Sequence, residues 1–522
     1  MEDRPQTRVR LAADDTAPVW ASTIGPCGLW TSDAQSVRSA RFTLPIVCFR
    51  IDHDMAISIF NDVIGPVMRG ASSSHCAAAL RIGRLARDLM GADITHISIE
   101  FDIHGSLPNT HQGQGSDMGL FGGLLGWDAA DERLPLSPIH LRAAGVVAEF
   151  RYVDLHDPHP NTYRLTLSNA RERHTMIAIS TGGGMIEVLD IDGTPVSLDG
   201  GSCVEWPTDN GSRTLHPVLP VRSVPDAILP FRTCAELIAL DAGRELPLWQ
   251  WAVHYEMARG ALESEAVHEM MLDIVRILRR SIAQGVAGTV YADRLLGPQA
   301  GLFAEAMRDA RLLDAGALNR TLLYTTALME VKSAMGVIVA APTAGACAAL
   351  PASVVAVGET MGRSEDDMAR AMLAAGLIGV FIAGPWTFAA EVGGCQAEGG
   401  SAAAMAAAAL VTLAGGTLTQ ATGAASMALQ SMLGLICDPV AARVEIPCLG
   451  KNVIAASNAM SCANMALAGF DAMIPFDEVV DAAKRVAERM PREHRCTSLG
   501  GLATTPTALR LSAALAARQP TV

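Results

Sequence analysis

Three cysteines in the second half of the chain have the residue type and setting that metal–sulfur chemistry requires. Cys395, Cys437 and Cys448 are 42 and 11 residues apart, and each lies close to glycine or proline. Such neighbours let a backbone bend tightly around a bulky group. Thiolates brought together from separate turns can hold an iron–sulfur cluster, whereas a compact zinc knuckle pairs cysteines only a few residues apart. The spacing alone supports buried packing cysteines equally well.

Six motifs extend the pattern around these cysteines to most of the chain. They are Ile64-Gly-Pro-Val-Met-Arg-Gly-Ala-Ser-Ser-Ser-His75, Ile338-Val-Ala-Ala-Pro-Thr-Ala-Gly-Ala-Cys347, Gly393-Gly-Cys-Gln-Ala-Glu398, Cys437-Asp-Pro-Val-Ala441, Pro447-Cys-Leu-Gly-Lys-Asn-Val-Ile454 and Leu499-Gly-Gly-Leu-Ala-Thr-Thr-Pro-Thr507. In order and spacing they resemble the iron–sulfur-dependent L-serine dehydratases, with the beta and alpha parts fused in one chain, from about Ser58 to the end of the chain. The resemblance implies a 4Fe–4S cluster on Cys395, Cys437 and Cys448, and conversion of L-serine to pyruvate and ammonia.

The implied reaction explains why these residue types are needed. Elimination from serine removes a weakly acidic Cα proton and expels hydroxide, which leaves poorly without a Lewis acid. A cluster held by three thiolates keeps one iron open to substrate oxygen atoms, and a nearby base takes the proton. Pyridoxal phosphate, the competing cofactor, needs a Schiff-base lysine in a phosphate-binding context. The three lysines of the chain, Lys332, Lys451 and Lys484, lie in no such motif.

A serine-rich loop, Gly70-Ala-Ser-Ser-Ser-His75, precedes a segment with helical spacing. Free N–H groups and the helix dipole make this a favourable place for a carboxylate, although an ordinary serine N-cap has the same appearance. The resemblance makes it an active-site loop, with His75 and Ser74 as catalytic candidates and Ser72 and Ser73 as substrate-binding candidates. Ala71 and Cys76 depart from the family, which usually has proline and threonine there.

A second loop carries the departure with the largest consequence for mechanism. Family members usually read Gly-His-Gly-Thr-Asp where this chain reads Gly113-Gln-Gly-Ser-Asp117. The family histidine is a leading candidate for the catalytic base, and Gln114 cannot take a proton near neutral pH. Gln114 and His111 are therefore catalytic candidates, with His104 as a further substitute. Both histidines can equally be surface or core residues without a role.

Two further stretches can grip the substrate carboxylate. Thr343, Ala344 and Gly345 belong to a Pro-Thr-Ala-Gly turn. Lys451 and Asn452 come just after Cys448 and can bind the carboxylate or support the cluster.

Cys496 lies in Arg495-Cys-Thr-Ser-Leu-Gly, where the family more often has glutamate. In some relatives a terminal cysteine caps the fourth iron, and this chain ends Gln-Pro-Thr-Val. We hypothesise that Cys496 approaches the open side of the cluster, and a small packing residue is an equal alternative. Cys347 and Cys462 are interpreted as packing residues.

The periodicity predicts an α+β N-terminal domain followed by a larger all-α domain that carries the cluster cysteines in loops. Residues 1–54 are predicted to be a poorly ordered extension, 55–200 the α/β domain, 201–230 a linker and 231–522 the helical domain. The predicted elements are a helix over Ala77–Met90, strands over Ile94–His104, Val147–Ser168 and Met176–Val196 with a hairpin turn at Asp192-Gly193, a glycine-rich loop over Gly105–Asp117, and helices over Glu236–Leu240, Leu248–Ala258, Glu263–Ala283 and Arg320–Lys332.

Composition limits the partners. A net charge of -14 without a basic run argues against nucleic acid, and 11 cysteines without a secretory signal favour the cytoplasm. Two long uncharged runs, Val337–Gly358 and Gly399–Cys437, are rich in small residues and favour buried helices over membrane spans. We expect a homodimer acting on a small amino acid. Alternatives are a homologue acting on another β-substituted amino acid, or a non-catalytic amino-acid-binding cluster protein.

Overall fold

A part built around a β-sheet, up to residue 215, precedes a larger helical part, which confirms the predicted order of the two parts. The computed structural model describes residues 56–208, 211–224 and 227–517. The extension predicted over residues 1–54 lies outside these ranges.

The first part is a six-stranded sheet in the order β3-β2-β4-β5-β6-β7, with two smaller strand pairs. Its strands are β1 (Val67–Met68), β2 (His96–Asp102), β3 (Val147–Val153), β4 (Thr162–Ser168), β5 (Arg173–Gly182), β6 (Met185–Ile191), β7 (Thr194–Leu198), β8 (Val204–Thr208) and β9 (Gly211–Leu215). β2 and β3 pair in parallel and the other neighbours of the large sheet are antiparallel. Asp192-Gly193 forms the predicted turn between β6 and β7.

Four helices accompany this sheet: α1 (Ala78–Leu89), α2 (Leu107–Gln114), α3 (Ser116–Leu124) and α4 (Ser137–Ala143). Apolar side chains of α1, such as Ile82 and Leu89, share a core with Ile97 and Phe101 of β2. The glycine-rich stretch Gly105–Asp117 was predicted as a loop, and that prediction is wrong. Pro108 lies in the first turn of α2, where its missing N–H removes no intrahelical hydrogen bond. Gly115, with φ +91°, separates α2 from α3.

The second part contains thirteen helices among the described residues and one two-residue strand. They are α5 (Cys234–Asp241), α6 (Leu248–Gly260), α7 (Ser264–Ala287), α8 (Ala300–Arg308), α9 (Ala317–Ser333), β10 (Ile338–Val339), α10 (Ala349–Thr360), α11 (Glu365–Ala383), α12 (Ala390–Gly393), α13 (Ser401–Leu413), α14 (Leu418–Gln430), α15 (Cys448–Leu467), α16 (Phe476–Glu488) and α17 (Pro506–Ala516). The all-helical prediction therefore missed β10, which pairs with β1 across the two parts.

Helix α13 lies at the centre of the helical part, and its alanine-rich sequence is the reason. Nearly every residue from Ser401 to Leu413 is buried, because small side chains let α10, α11, α14 and α15 approach it closely. The uncharged runs of the sequence thus form packed helices. Among the described residues, no helix has the length and hydropathy needed to cross a membrane.

The two parts share one core, and the described residues from 56 to 517 belong to one compact unit. Ile59 and Val63, in a π-helical turn before β1, pack on α11 at Gly376 and Gly379. A Cβ at these glycines would come within 2.4 and 2.1 Å of those two side chains, so only glycine permits the contact. Residues 201–230, predicted as a linker, contain the β8–β9 pair, so that prediction does not hold for this hairpin.

Candidate active site

Three of the cysteines meet in one buried cluster. Cys395, Cys437 and Cys496 pack together with Ala390 and Leu435. The N–H of Cys437 donates to the carbonyl of His494 at 2.8 Å, and the N–H of Cys496 donates to the carbonyl of Cys437 at 3.1 Å. This short backbone pairing holds Cys496 beside Cys437. Cys496, which was predicted to approach the iron–sulfur cluster, therefore lies in contact with Cys437, a predicted ligand of that cluster.

Cys448 adds a fourth buried sulfur to this region. It was predicted to lie in a loop, but it is the first residue of α15. The proline before it ends the preceding loop, and the helix dipole at this end favours a thiolate. Burial raises the pKa of Cys448, and the charge of Cys395 adds to this shift. We refer to Cys395, Cys437, Cys448 and Cys496 as the cysteine cluster.

The ammonium group of Lys451 lies against the cysteine cluster. Nζ of Lys451 donates to Asp438 Oδ1 at 2.6 Å, to the carbonyl of Ile436 at 2.7 Å and to Cys395 Sγ at 3.5 Å. Burial lowers the pKa of Lys451, but Cys395, Cys437 and Asp438 outweigh this and raise it overall. All three protons of the Lys451 ammonium group can be engaged in these contacts.

Crowding makes this group of thiols chemically unusual. Cys395 and Cys496 lie within hydrogen-bonding range of Cys437 and, with burial, raise its pKa well above the ordinary value. Buried thiolates in contact with one another repel unless a cation compensates them. The donor set therefore suits a metal–sulfur group.

His75 is fully buried in the turn that precedes α1. Its hydrogen bonds define which ring nitrogen carries the proton. Thr110 Oγ1 donates to the carbonyl of Ser106 at 2.7 Å, so it accepts from His75 Nε2 at 2.8 Å. Nδ1 is then unprotonated and faces Ser72 Oγ at 3.2 Å and Glu391 Oε1 at 3.4 Å. Burial, aided by His111, lowers the pKa of His75 to about 3. The imidazole is neutral and its basic nitrogen is held in a fixed direction.

Two carboxyl groups that the sequence analysis did not single out complete this region. Burial, with Glu398 nearby, raises the pKa of Glu391 to about 7. Among the described residues, Glu391 Oε2 has no hydrogen-bond partner. Burial also raises the pKa of Glu398, although Thr343, Lys332 and Lys451 oppose the shift. The sequence offered one sign that these glutamates are unusual: they flank Cys395 and lie next to a long uncharged run.

Glu391 predicts a measurable dependence of stability on pH. The folded protein keeps its proton up to about pH 7, whereas an unperturbed glutamate loses it near 4.5. The folded state thus binds more protons between these values, so the free energy of unfolding falls as pH rises through this window. Glu391→Gln should remove this slope, which amounts to about 3 kcal/mol. Urea unfolding from pH 4.5 to 8 tests this, and parallel curves for both proteins would contradict it.

The predicted substrate loops meet in this region. The hydroxyl of Ser73 accepts from the N–H of Ala344 at 3.1 Å, and Thr343 Oγ1 donates to Glu398 Oε1 at 2.9 Å. A Cβ on Gly345 would lie 2.9 Å from the same carboxylate oxygen, so a side chain there would displace the carboxyl group of Glu398. Ser74 is buried in the π-helical turn Ser73–Ala77.

Asn452 positions these elements. Its Nδ2 donates to the carbonyls of Gly345 and Cys448, at 2.8 and 2.9 Å. Its Oδ1 accepts from Ala348 and Ala349 at the start of α10. These four hydrogen bonds occupy both the oxygen and the nitrogen of the side-chain amide. Asn452 therefore joins the Thr343–Gly345 turn to α15.

Gln114, His111 and His104, the candidates from the stretch around α2, have different surroundings. Gln114 Nε2 is 3.7 Å from Cys496 Sγ, so it lies at the cysteine cluster. His111 binds Asp117 Oδ1 at 2.5 Å and Tyr152 OH at 2.8 Å through its two ring nitrogens. His104 is exposed on the surface and binds Asp154. Of the three histidines His75, His104 and His111, His75 is the one whose ring faces Glu391.

Comparison with known proteins identifies a matching family model and several relatives. The family model described as "Serine dehydratase alpha chain" matches residues 243–503. A "Probable L-serine dehydratase, alpha chain" of Bacillus subtilis is 37% identical over 281 residues, covering 54% of this chain and 94% of the relative. An "L-serine dehydratase" of Streptomyces coelicolor is 29% identical over 471 residues, covering 86% of this chain and 99% of the relative.

The sheet-containing part has its own relative. A "Probable L-serine dehydratase, beta chain" of Bacillus subtilis is 43% identical over 143 residues, which is 27% of this chain and 64% of the relative. The alpha and beta relatives are separate chains, whereas the Streptomyces relative spans both parts. The chain belongs to the L-serine dehydratase family, with its beta and alpha parts fused.

Proposed function

We propose that this protein catalyses the iron–sulfur-dependent dehydration and deamination of L-serine to pyruvate and ammonia. The observation that carries the proposal is the group of buried thiols: Cys395, Cys437 and Cys496 pack together, and Cys448, His75 and Glu391 are buried in the same part of the structure. Membership of the L-serine dehydratase family supports the substrate and the reaction class.

The cysteine cluster fits a 4Fe–4S group. Cys395, Cys437 and Cys448 would be its ligands, and Cys496 would approach the remaining iron. Thiolates are the usual ligands of such groups, and hydrogen bonds to their sulfurs tune them. Lys451 and Gln114 are placed to donate those bonds, at 3.5 Å to Cys395 and 3.7 Å to Cys496. When bound, the cluster supplies Lewis acidity that assists departure of the serine hydroxyl.

The protein's own groups hold the substrate and move its proton. His75 Nδ1 is unprotonated and fixed by Ser72 and Thr110, so it is the group we assign to removal of the Cα proton. Glu391, 3.4 Å from that nitrogen and with a pKa of about 7, can share the proton near neutral pH. The aminoacrylate product tautomerises to an imine and hydrolyses in water without help from the protein.

The substrate carboxylate belongs, in this proposal, against the loops that carry Ser73, Ser74 and Thr343. The Ser73–Ala344 hydrogen bond joins the two loops directly, and α1 begins just after the serines. Hydroxyls and N–H groups at a helix start are favourable donors to a carboxylate.

The proposal is tested with protein purified and reconstituted without oxygen. L-Serine is added, and pyruvate is measured by coupling to lactate dehydrogenase. We expect pyruvate and ammonia in equal amounts. Absence of pyruvate from protein with an intact cluster would reject serine as the substrate.

Gln114 supports a second candidate function. It contacts Cys496 at a position where the family usually has histidine, so both departures lie on the same side of the cysteine cluster. This favours a homologue that eliminates from another β-substituted amino acid, such as a β-thiol, or one that only binds an amino acid. Gln114→His and His111→Ala separate these readings. If neither changes turnover of any β-substituted amino acid, a binding role is favoured.

Cys496 gives a prediction of its own. As a fourth thiolate it would hold an iron that otherwise lacks a protein ligand. Cys496→Ala should therefore keep its cluster without oxygen but release one iron in air at least about tenfold faster. Iron release is followed by chelator absorbance and by electron paramagnetic resonance of the remaining cluster. Equal rates and identical spectra for the two proteins would assign Cys496 to packing.

We also propose that the protein acts in the cytoplasm as a homodimer. The nine cysteines among the described residues are all free, which suits a reducing compartment. Phe470 and Met473 are 59% and 80% exposed, and apolar side chains of this kind suit a contact between subunits. Light scattering after size-exclusion chromatography measures the mass, and a monomer would contradict the dimer.

A further inference from the structure

Three metal-binding side chains meet on the surface at the carboxyl ends of two neighbouring strands. β2 and β3 pair in parallel, with Asp102 opposite Val153, so the loops that follow them leave the sheet side by side. His104 comes from the first loop, and Asp154 and His156 come from the second. Their ligand atoms lie within 4.8 Å of one another and the side chains are exposed. We call these three residues the surface triad.

Both imidazoles of the surface triad are directed at one oxygen. His104 Nε2 is 3.0 Å and His156 Nδ1 is 2.8 Å from Asp154 Oδ1. Exposed ion pairs contribute little to stability because water solvates each partner well, so this convergence has no evident role in holding the fold. Two imidazole nitrogens and a carboxylate oxygen at these distances can instead share a cation.

A buried carboxylate fixes the backbone of both loops. Asp102 accepts hydrogen bonds from the N–H of His104 at 3.0 Å, of Leu155 at 3.4 Å and of Asp157 at 2.6 Å. His156 has φ +51°, a left-handed conformation that residues other than glycine seldom adopt. The resulting ring centroids of His104 and His156 are 4.7 Å apart. The ligands are thus largely positioned before any ion arrives.

We propose that the surface triad binds a divalent transition-metal ion of the Zn²⁺, Co²⁺ or Ni²⁺ class. Two imidazoles and one carboxylate suit these ions, whereas Mg²⁺ and Ca²⁺ prefer oxygen ligands throughout. Water fills the remaining coordination positions on the exposed side. The site uses none of the residues of the cysteine cluster, so it is independent of the dehydratase proposal.

The test measures zinc bound by the holoenzyme. Protein reconstituted without oxygen is incubated with Zn²⁺ and desalted, and zinc and iron are measured in the same sample. Wild type should retain about one zinc per chain more than the His104→Ala/His156→Ala double variant. Zinc affinity in the single variant His156→Ala should fall at least about tenfold, and added Mg²⁺ should not displace the ion.

His216→Ala is the matched control, because His216 is also an exposed histidine bound to one aspartate, Asp88, at 3.0 Å. It should retain the wild-type zinc, and all variants should retain the wild-type iron. Equal zinc in the wild type and the double variant would overturn the proposal by placing the ion elsewhere. Zinc held only at large excess would also overturn it, since the ion would then be adventitious only.

Discussion

Cys448→Ser is expected to abolish iron binding and serine dehydration together. Cys448 is the first residue of α15 and is buried, so the variant removes one of three proposed ligands and leaves a weaker hydroxyl in its place. The several kcal/mol that a metal Lewis acid contributes to a transition state correspond to a loss of about a thousandfold or more in kcat. Iron content and pyruvate formation are measured on the same anaerobic sample.

Cys462→Ser is the matched control for this experiment. Cys462 lies on the same helix, is also buried, and contacts Asn458 at 3.4 Å. It should keep both its iron and its activity. If Cys462→Ser loses iron as fully as Cys448→Ser does, the effect comes from disturbance of α15 and the ligand assignment fails.

His75→Asn is expected to lower kcat by about 10² to 10⁴ while leaving the iron content unchanged. Asparagine can keep a hydrogen bond to Thr110 or Ser72, but it cannot take a proton near neutral pH. The loss should appear in kcat more than in KM, because proton removal belongs to the transition state.

The control for this variant is another buried histidine. His174 on β5 is 7% exposed and binds Asp192 at 2.7 Å, and His174→Asn should keep its activity. A His75→Asn enzyme with near-normal kcat would remove His75 as the base. In that case Glu391 would be the base, and the Glu391→Gln variant should show the large loss in kcat instead.

Much of the fold could be predicted because local patterns agree with tertiary packing. The helix predicted over Ala77–Met90 is α1, and the turn at Asp192-Gly193 joins β6 to β7. The stretch Gly105–Asp117 was misread because its glycines resemble those of a loop. Helix α2 packs against β2, α3 packs against α1, and the left-handed Gly115 separates them; a local pattern reveals none of these features. The β8–β9 hairpin was missed because turn-forming residues surround its two short strands, so the stretch resembles a linker.

The site could be predicted in part. Cys395, Cys437 and Cys448 were predicted as ligands from the motifs that carry the family resemblance, and the structure brings Cys395 and Cys437 together with Cys496. The contacts of Lys451 and Asn452 required the structure, since they join residues far apart in the sequence. Glu391 was missed because a carboxyl group becomes notable only when it is buried, and burial depends on tertiary packing.

The most direct test of the central claim is the iron and acid-labile sulfide content of protein reconstituted without oxygen, together with its absorption spectrum. We predict about four iron and four sulfide per chain, with the broad thiolate-to-iron absorption of a cubane cluster. Colourless, iron-free protein that still converts L-serine to pyruvate would contradict the account.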